Sequence, residues 1–102
     1  MNNIISDMNG LNLDSKLSPI QVYIQNNDNI ISGLFMPNFY MRQECCISTM
    51  ILDHIELLSP KMFLQLGSIK NENSYKMIKI NGKIDMNLEQ WLLSKELVIF
   101  SE

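Results

Sequence analysis

The chain has 102 residues, 46% hydrophobic and only 8% aromatic, with a formal net charge of −3 and a sequence pI of about 5.0. That is material for a single domain, 1–102, whose core must be filled mainly by aliphatic side chains and methionine. The acidity argues against a dedicated nucleic-acid-binding domain with its basic stripe; no apolar run approaches the roughly 18 residues of a membrane span, and two adjacent cysteines build no disulfide framework.

The first 18 residues are polar with scattered apolar anchors and read as a loosely ordered arm. Ile4 and Met8 are spaced for one helical face, and Gly10 suits the end of a short helix. After Pro19, the apolar residues Ile20, Val22 and Ile24 alternate with Gln21, Tyr23 and Gln25, the pattern of a half-buried strand. Asn26-Asn27-Asp28-Asn29 tolerates turn geometry, and the apolar run Ile30 to Met36 returns. The two runs predict a β-hairpin.

Asn38 to Leu58, bracketed by Pro37 and Pro60, is the longest run without Gly or Pro. At 100° per residue, Arg42, Thr49, Asp53 and Glu56 fall in one sector, with Tyr40, Ile47, Ile51, Ile55 and Leu58 opposite. The preferred reading is one long amphipathic helix, entered at Pro37-Asn38 and left at Ser59-Pro60. Paired strands are the rival. Phe39, Met41, Cys45, Ile47, Ile51, Ile55 and Leu57 also occupy odd positions, but Gln43, Thr49 and Asp53 break that alternation.

Met62, Leu64 and Leu66 then predict a strand, Tyr75 to Ile80 a return strand, and Asn81-Gly82 a tight turn into a short strand near Lys83–Asp85. Asn87 with Gln90 three residues on forms a capping-box pattern, opening a short helix through Leu88, Trp91 and Leu92. Leu97 to Phe100 reads as a final strand. The expected fold is α+β: a mainly antiparallel sheet, in hairpin and meander units, packed on one long central helix and a short C-terminal helix.

Chemistry is sparse. Cys45 and Cys46 lack the CxxC spacing of a zinc site, and a helical Cys46 would lie about 12 Å from His54, beyond dyad reach. The acidic residues are scattered, and Gly10, Gly33, Gly67 and Gly82 stand alone, so no calcium loop or phosphate-cradling loop is present. Neither catalysis, cofactor nor metal is expected. Lys70, Lys76, Lys79 and Lys83 cluster on the second β unit and are candidate contacts for an anionic partner. Phe35, Met36, Phe39, Tyr40 and Met41 make an apolar run that one small core would not absorb, and Met77 sits among lysines. These six are candidate protein-contact residues; a sheet edge is the other candidate.

The expected function is a non-catalytic protein-binding module, an inhibitor, adaptor or chaperone of a larger protein, with homodimerisation as one form of contact. The alternative is a nucleic-acid-binding regulator using residues 61–84. The absence of alanine and the abundance of Ile, Asn and Met suit an AT-rich gene of phage or mobile-element type. MNNIISDMNG lacks the basic start and apolar stretch of a signal peptide, which makes a bacterial or host-bacterial cytoplasm the expected location.

Overall fold

A computed structural model describes residues 18–70 and 73–101; the expected N-terminal arm and its short helix lie outside the described residues. β1 (Ile20–Asn26) and β2 (Asn29–Phe35) form the expected hairpin, with a register running from Ile20↔Phe35 to Asn26↔Asn29. Asn27 takes the left-handed conformation (φ 57°) that its short polar side chain tolerates. Val22, Ile24 and Phe35 point into the core, while Gln21, Tyr23 and Gln25 face outward.

The long central helix is not formed. Pro37 does open a helix, but α1 (Pro37–Met41) lasts five residues. Gln43 then turns left-handed (φ 59°), its N–H donates to Tyr40 O, and the Glu44 N–H reaches back to Phe39 O. This pair of bonds is the Schellman stop. The rest of the stretch is a second hairpin, β3 (Ile47–Ile51) and β4 (His54–Leu58), paired from Ile47↔Leu58 to Ile51↔His54. Its two turn residues, Leu52 (φ 48°) and Asp53 (φ 67°), are both left-handed, the type I′ pattern that matches strand twist. Three β-branched residues in β3 and one in β4 favour this outcome. The hairpin also gives β2 a ladder partner at Leu34↔Ser48 and Phe35↔Ile47, which a helix would not.

Ser59-Pro60 opens a helix instead of closing one. The Ser59 hydroxyl accepts from the Met62 N–H and Pro60 stands at the first helical position of α2 (Pro60–Leu66). The expected strand there is therefore helical, burying Pro60, Phe63 and Leu64 at helical spacing. Tyr75 to Ile80 is likewise not one strand: α3 (Ser74–Met77) is capped by Asn73, and only Lys79–Ile80 forms β5. Asn81-Gly82 does turn, with Gly82 at φ 80° and the Lys83 N–H donating to Ile80 O. Lys83–Asp85 is not a strand, because Asp85 is itself left-handed (φ 59°); the Ile80 N–H closes the loop on Met86 O.

Asn87 and Gln90 make the expected capping box at the start of α4 (Leu88–Ser94), with both reciprocal bonds present. Leu97–Phe100 forms no strand. Two tyrosine hydroxyls hold it instead. Tyr40 donates to Val98 O (2.8 Å) and accepts from the Phe100 N–H (2.9 Å), while Tyr75 donates to Phe100 O (2.7 Å).

The five strands form one antiparallel sheet in the order β4-β3-β2-β1-β5. Since β4 and β5 lie at opposite edges, α2 and α3 carry the chain across the sheet. Among the described residues the core lies on this helical side, from Val22, Ile24, Phe35, Ile47 and Leu58 on the sheet to Phe63, Leu64, Leu88, Trp91 and Leu92 on helices. Phe35 packs at a tilt against Tyr40 (5.4 Å between centroids) and edge-on to Trp91 (5.8 Å), and Tyr40 meets Phe100 (5.2 Å). The α+β class expected from sequence is the one the structure has.

Candidate protein-interaction surface

Strand alternation gives the sheet a second face. Gln21, Tyr23, Gln25, Ile30, Ser32, Leu34, Ser48, Met50, Ile55, Leu57 and Lys79 share it by register, and none is buried. Lys79 is the one charged side chain among these strand positions. An open face rich in apolar and amide side chains and poor in charge has the composition of the centre of a protein interface.

The apolar residues concentrate at the β3–β4 hairpin, where Met50 is 63%, Leu52 88%, Ile55 71% and Leu57 44% exposed. Met50 and Ile55 are cross-strand partners and Leu57 follows on the same face. The hairpin also reaches beyond the helices: His54 and Glu56, on its other side, are exposed as well, and only Leu58 of β4 is buried. Leu52 at the tip packs into no core and occupies a left-handed conformation that costs a leucine about 1 kcal/mol.

A groove separates the hairpin from β1 and β2. Only two residue pairs join β2 to β3, after which the strands diverge. Thr49, buried on the inner side, spans the divergence by donating from its hydroxyl to Ser32 O (2.8 Å). The opening on the outer face holds about 560 Å³ and is lined by Leu34, Ser48, Met50, Ile55 and Asn81, among others. Gly33 sits at the junction, where a Cβ would lie 2.9 Å from Ile47 Cγ2 and 3.1 Å from both Phe63 Cε1 and Ser48 O.

The sequence-predicted contact residues lie elsewhere. Phe35 and Tyr40 are buried in the aromatic cluster and offer no surface. Phe39, Met41 and Met77 are half-buried against the core, and half-buried Met36 is the N-cap of α1. The four lysines do not converge on one element: Lys70 follows α2, Lys76 lies on α3, Lys79 on β5 and Lys83 in the following loop. Tyr23 stands opposite Lys79 in the ladder and lines a cleft with Lys83.

Cys45 is exposed and Cys46 buried. The Cys46 N–H donates to Leu58 O, at the far end of β4 from His54, which sets the two backbones about 13 Å apart along the strand. Among the described residues no three His, Cys, Asp or Glu side chains are grouped to hold a metal ion, and no helix is long and apolar enough to cross a membrane. The cleft beside Cys45 holds about 380 Å³ between Tyr40, Lys61, Tyr75 and Phe100, where the C-terminal segment crosses the aromatic cluster.

The hairpin surface was missed in the sequence because Thr49 and Asp53 read as breaks in alternation. Thr49 is in fact the bridge to β2, and Asp53 is the turn. The odd-position run of Ile47, Ile51, Ile55 and Leu57 was the available signal. Comparison with protein-family models, with curated proteins and with solved structures found no match.

Proposed function

We propose that the chain is a non-catalytic protein-binding module that docks on another protein through the open face of its sheet, centred on the β3–β4 hairpin. The observation that supports this reading is the placement of Met50, Leu52, Ile55 and Leu57 together on one projecting hairpin, exposed and free of lysine or arginine. A module of this kind acts by covering a partner's surface, as an inhibitor, adaptor or chaperone does, and needs no reacting group of its own. The nearly uncharged face disfavours nucleic acid, whose affinity comes chiefly from cations set along the phosphate backbone.

The test is affinity capture from a nuclease-treated bacterial lysate with wild type and with Met50→Ser/Leu57→Ser. Both positions are exposed, so the double variant keeps its fold, checked by its melting curve. A protein retained by wild type and lost by the variant supports the docking face. Equal capture by both, or recovery of nucleic acid from untreated lysate with steep salt dependence, overturns it.

A further inference from the structure

The outer edge of β4 has a defined pattern of free backbone groups. In a hairpin closed by a two-residue type I′ turn the closing pair, Ile51↔His54, is hydrogen-bonded, and hydrogen-bonded and open pairs then alternate. Thr49↔Glu56 is the next bonded pair, while Met50↔Ile55 and Ser48↔Leu57 are open. The N–H and C=O groups of Ile55 and Leu57 therefore point away from β3. Among the described residues no strand pairs with that edge. Edge strands are commonly guarded by lysine, proline or a bulge; His54–Leu58 contains neither lysine nor proline and pairs residue for residue with β3.

We propose that this edge pairs antiparallel with β4 of a second copy, about a two-fold axis at Ile55, joining two five-stranded sheets into one continuous sheet. Symmetric antiparallel pairing that keeps side chains on matching faces and brings outward backbone groups together allows an axis at Ile55, Glu56 or Leu57. An axis at Glu56 opposes two carboxylates in an open pair, where side chains approach most closely. An axis at Leu57 sets Glu56 against Leu58, which is buried in its own core, and runs the ladder into Ser59, which caps α2. The axis at Ile55 avoids both. Ile55 exchanges N–H···O=C bonds with its symmetry mate, the two isoleucine side chains meet on the open face beside Met50, and on the other side each His54 ring faces the partner's Glu56. The side chains of His54 and Glu56 are both exposed and make no hydrogen bond or ion pair among the described residues. The edge is thus complementary to itself, as a two-fold interface requires.

This deepens the reading of the hairpin as an interaction surface and rests on it. The ladder is short, because the next rung would set Leu57 against the partner's left-handed turn residue Asp53, so the interface is smaller than the standard size and association is weak and concentration-dependent. Dimerisation also leaves the open face uncovered and doubles its extent, so a heterologous partner and a second copy occupy different surfaces.

The test is sedimentation equilibrium of the isolated full chain from micromolar to millimolar concentration, with melting curves to show that each variant folds. Wild type is expected to dimerise. His54→Glu, which sets carboxylate against carboxylate, is expected to weaken the dimer at least tenfold; the swap His54→Glu/Glu56→His restores it, because the same two pairs form with their positions exchanged. Ile55→Pro removes an N–H that the intramolecular ladder does not use and abolishes the dimer. A monomer throughout the range, a dimer indifferent to the charge changes, or a dimer strengthened by Glu56→Gln, as the Glu56 axis requires, overturns the proposal. Because this readout needs no other protein, its failure is distinct from loss of capture by Met50→Ser/Leu57→Ser.

Discussion

Left-handed backbone is the recurrent local device of this fold, and among the described residues it is carried almost entirely by residues other than glycine. Gln43, Ser68 and Glu96 each stand just past the end of a helix at φ 56–59°. In all three cases the next N–H bonds back to the carbonyl five residues before it, Glu44 to Phe39, Ile69 to Leu64 and Leu97 to Leu92. Glycine is the usual occupant of that position. Glu96→Gly should therefore raise the unfolding free energy by about 0.5–1 kcal/mol, the relief of left-handed strain exceeding the freedom gained by the unfolded chain. A urea melt reads it; a fall in stability would mean that the Glu96 side chain contributes more than its backbone costs. Tyr40 supplies a second test at this scale. Its hydroxyl is both donor to Val98 O and acceptor from the Phe100 N–H, so Tyr40→Phe leaves two backbone groups without a partner and should cost about 1–3 kcal/mol. No change in the melt would show that solvent satisfies those groups equally well.

The same habit explains which elements could be seen in advance. The first hairpin was legible because Asn26–Asn29 announces a turn, and α4 because Asn87 and Gln90 announce a cap. The second hairpin was not. Its turn is Leu52-Asp53, and nothing in a leucine predicts positive φ, so the stretch from Asn38 to Leu58 read as one unbroken helix. Ser59-Pro60 misled in the opposite sense, since the pair that can end one helix also begins another, and only the Met62 N–H on the Ser59 hydroxyl decides. Replacing Leu52-Asp53 by Asn-Gly should stabilise the domain by about 1 kcal/mol while weakening capture of a partner that uses Leu52. A loss of stability would show that the tip packs in a way its exposure conceals. At the base of the same hairpin, Gly33→Val should cost about 2–3 kcal/mol, because the added atoms meet Ile47, Phe63 and the Ser48 carbonyl at once. A near-neutral result in thermal unfolding would mean that β2 and β3 can separate without loss.

At the scale of the molecule, the α+β class followed from alternating and helical patterns together, although several patterns lay on the wrong elements. The apolar residues of α2 sit at positions 60, 63 and 64 and also at 62, 64 and 66, so one short run satisfied both periods. The layering has a direct test in two isoleucines of one hairpin. Ile47 is fully buried on the helical side and Ile55 is mostly exposed on the open side. Ile47→Asp should abolish cooperative unfolding, since it buries an unpaired charge, while Ile55→Asp, compared at low concentration where the chain is monomeric, should move the melting temperature by no more than a surface substitution does. Equal sensitivity would mean that both faces of the sheet are covered. The candidate surface was legible only as a suspicion that a sheet edge seeks cover; locating it required knowing that the hairpin exists.

The way the C-terminal segment is held has a consequence for motion. Val98 and Phe100 hang from the hydroxyls of Tyr40 and Tyr75 rather than from a neighbouring strand. Those three bonds can part together, lifting the segment off the aromatic cluster while every rung of the sheet stays closed. The amide hydrogen of Phe100 should then exchange with deuterium through a local opening, at a rate insensitive to low denaturant, while the core strand amides that bond within the ladder, such as those of Ile24 and Ile47, exchange only by global unfolding. If all of these amides exchange together, the segment and the sheet form one cooperative unit.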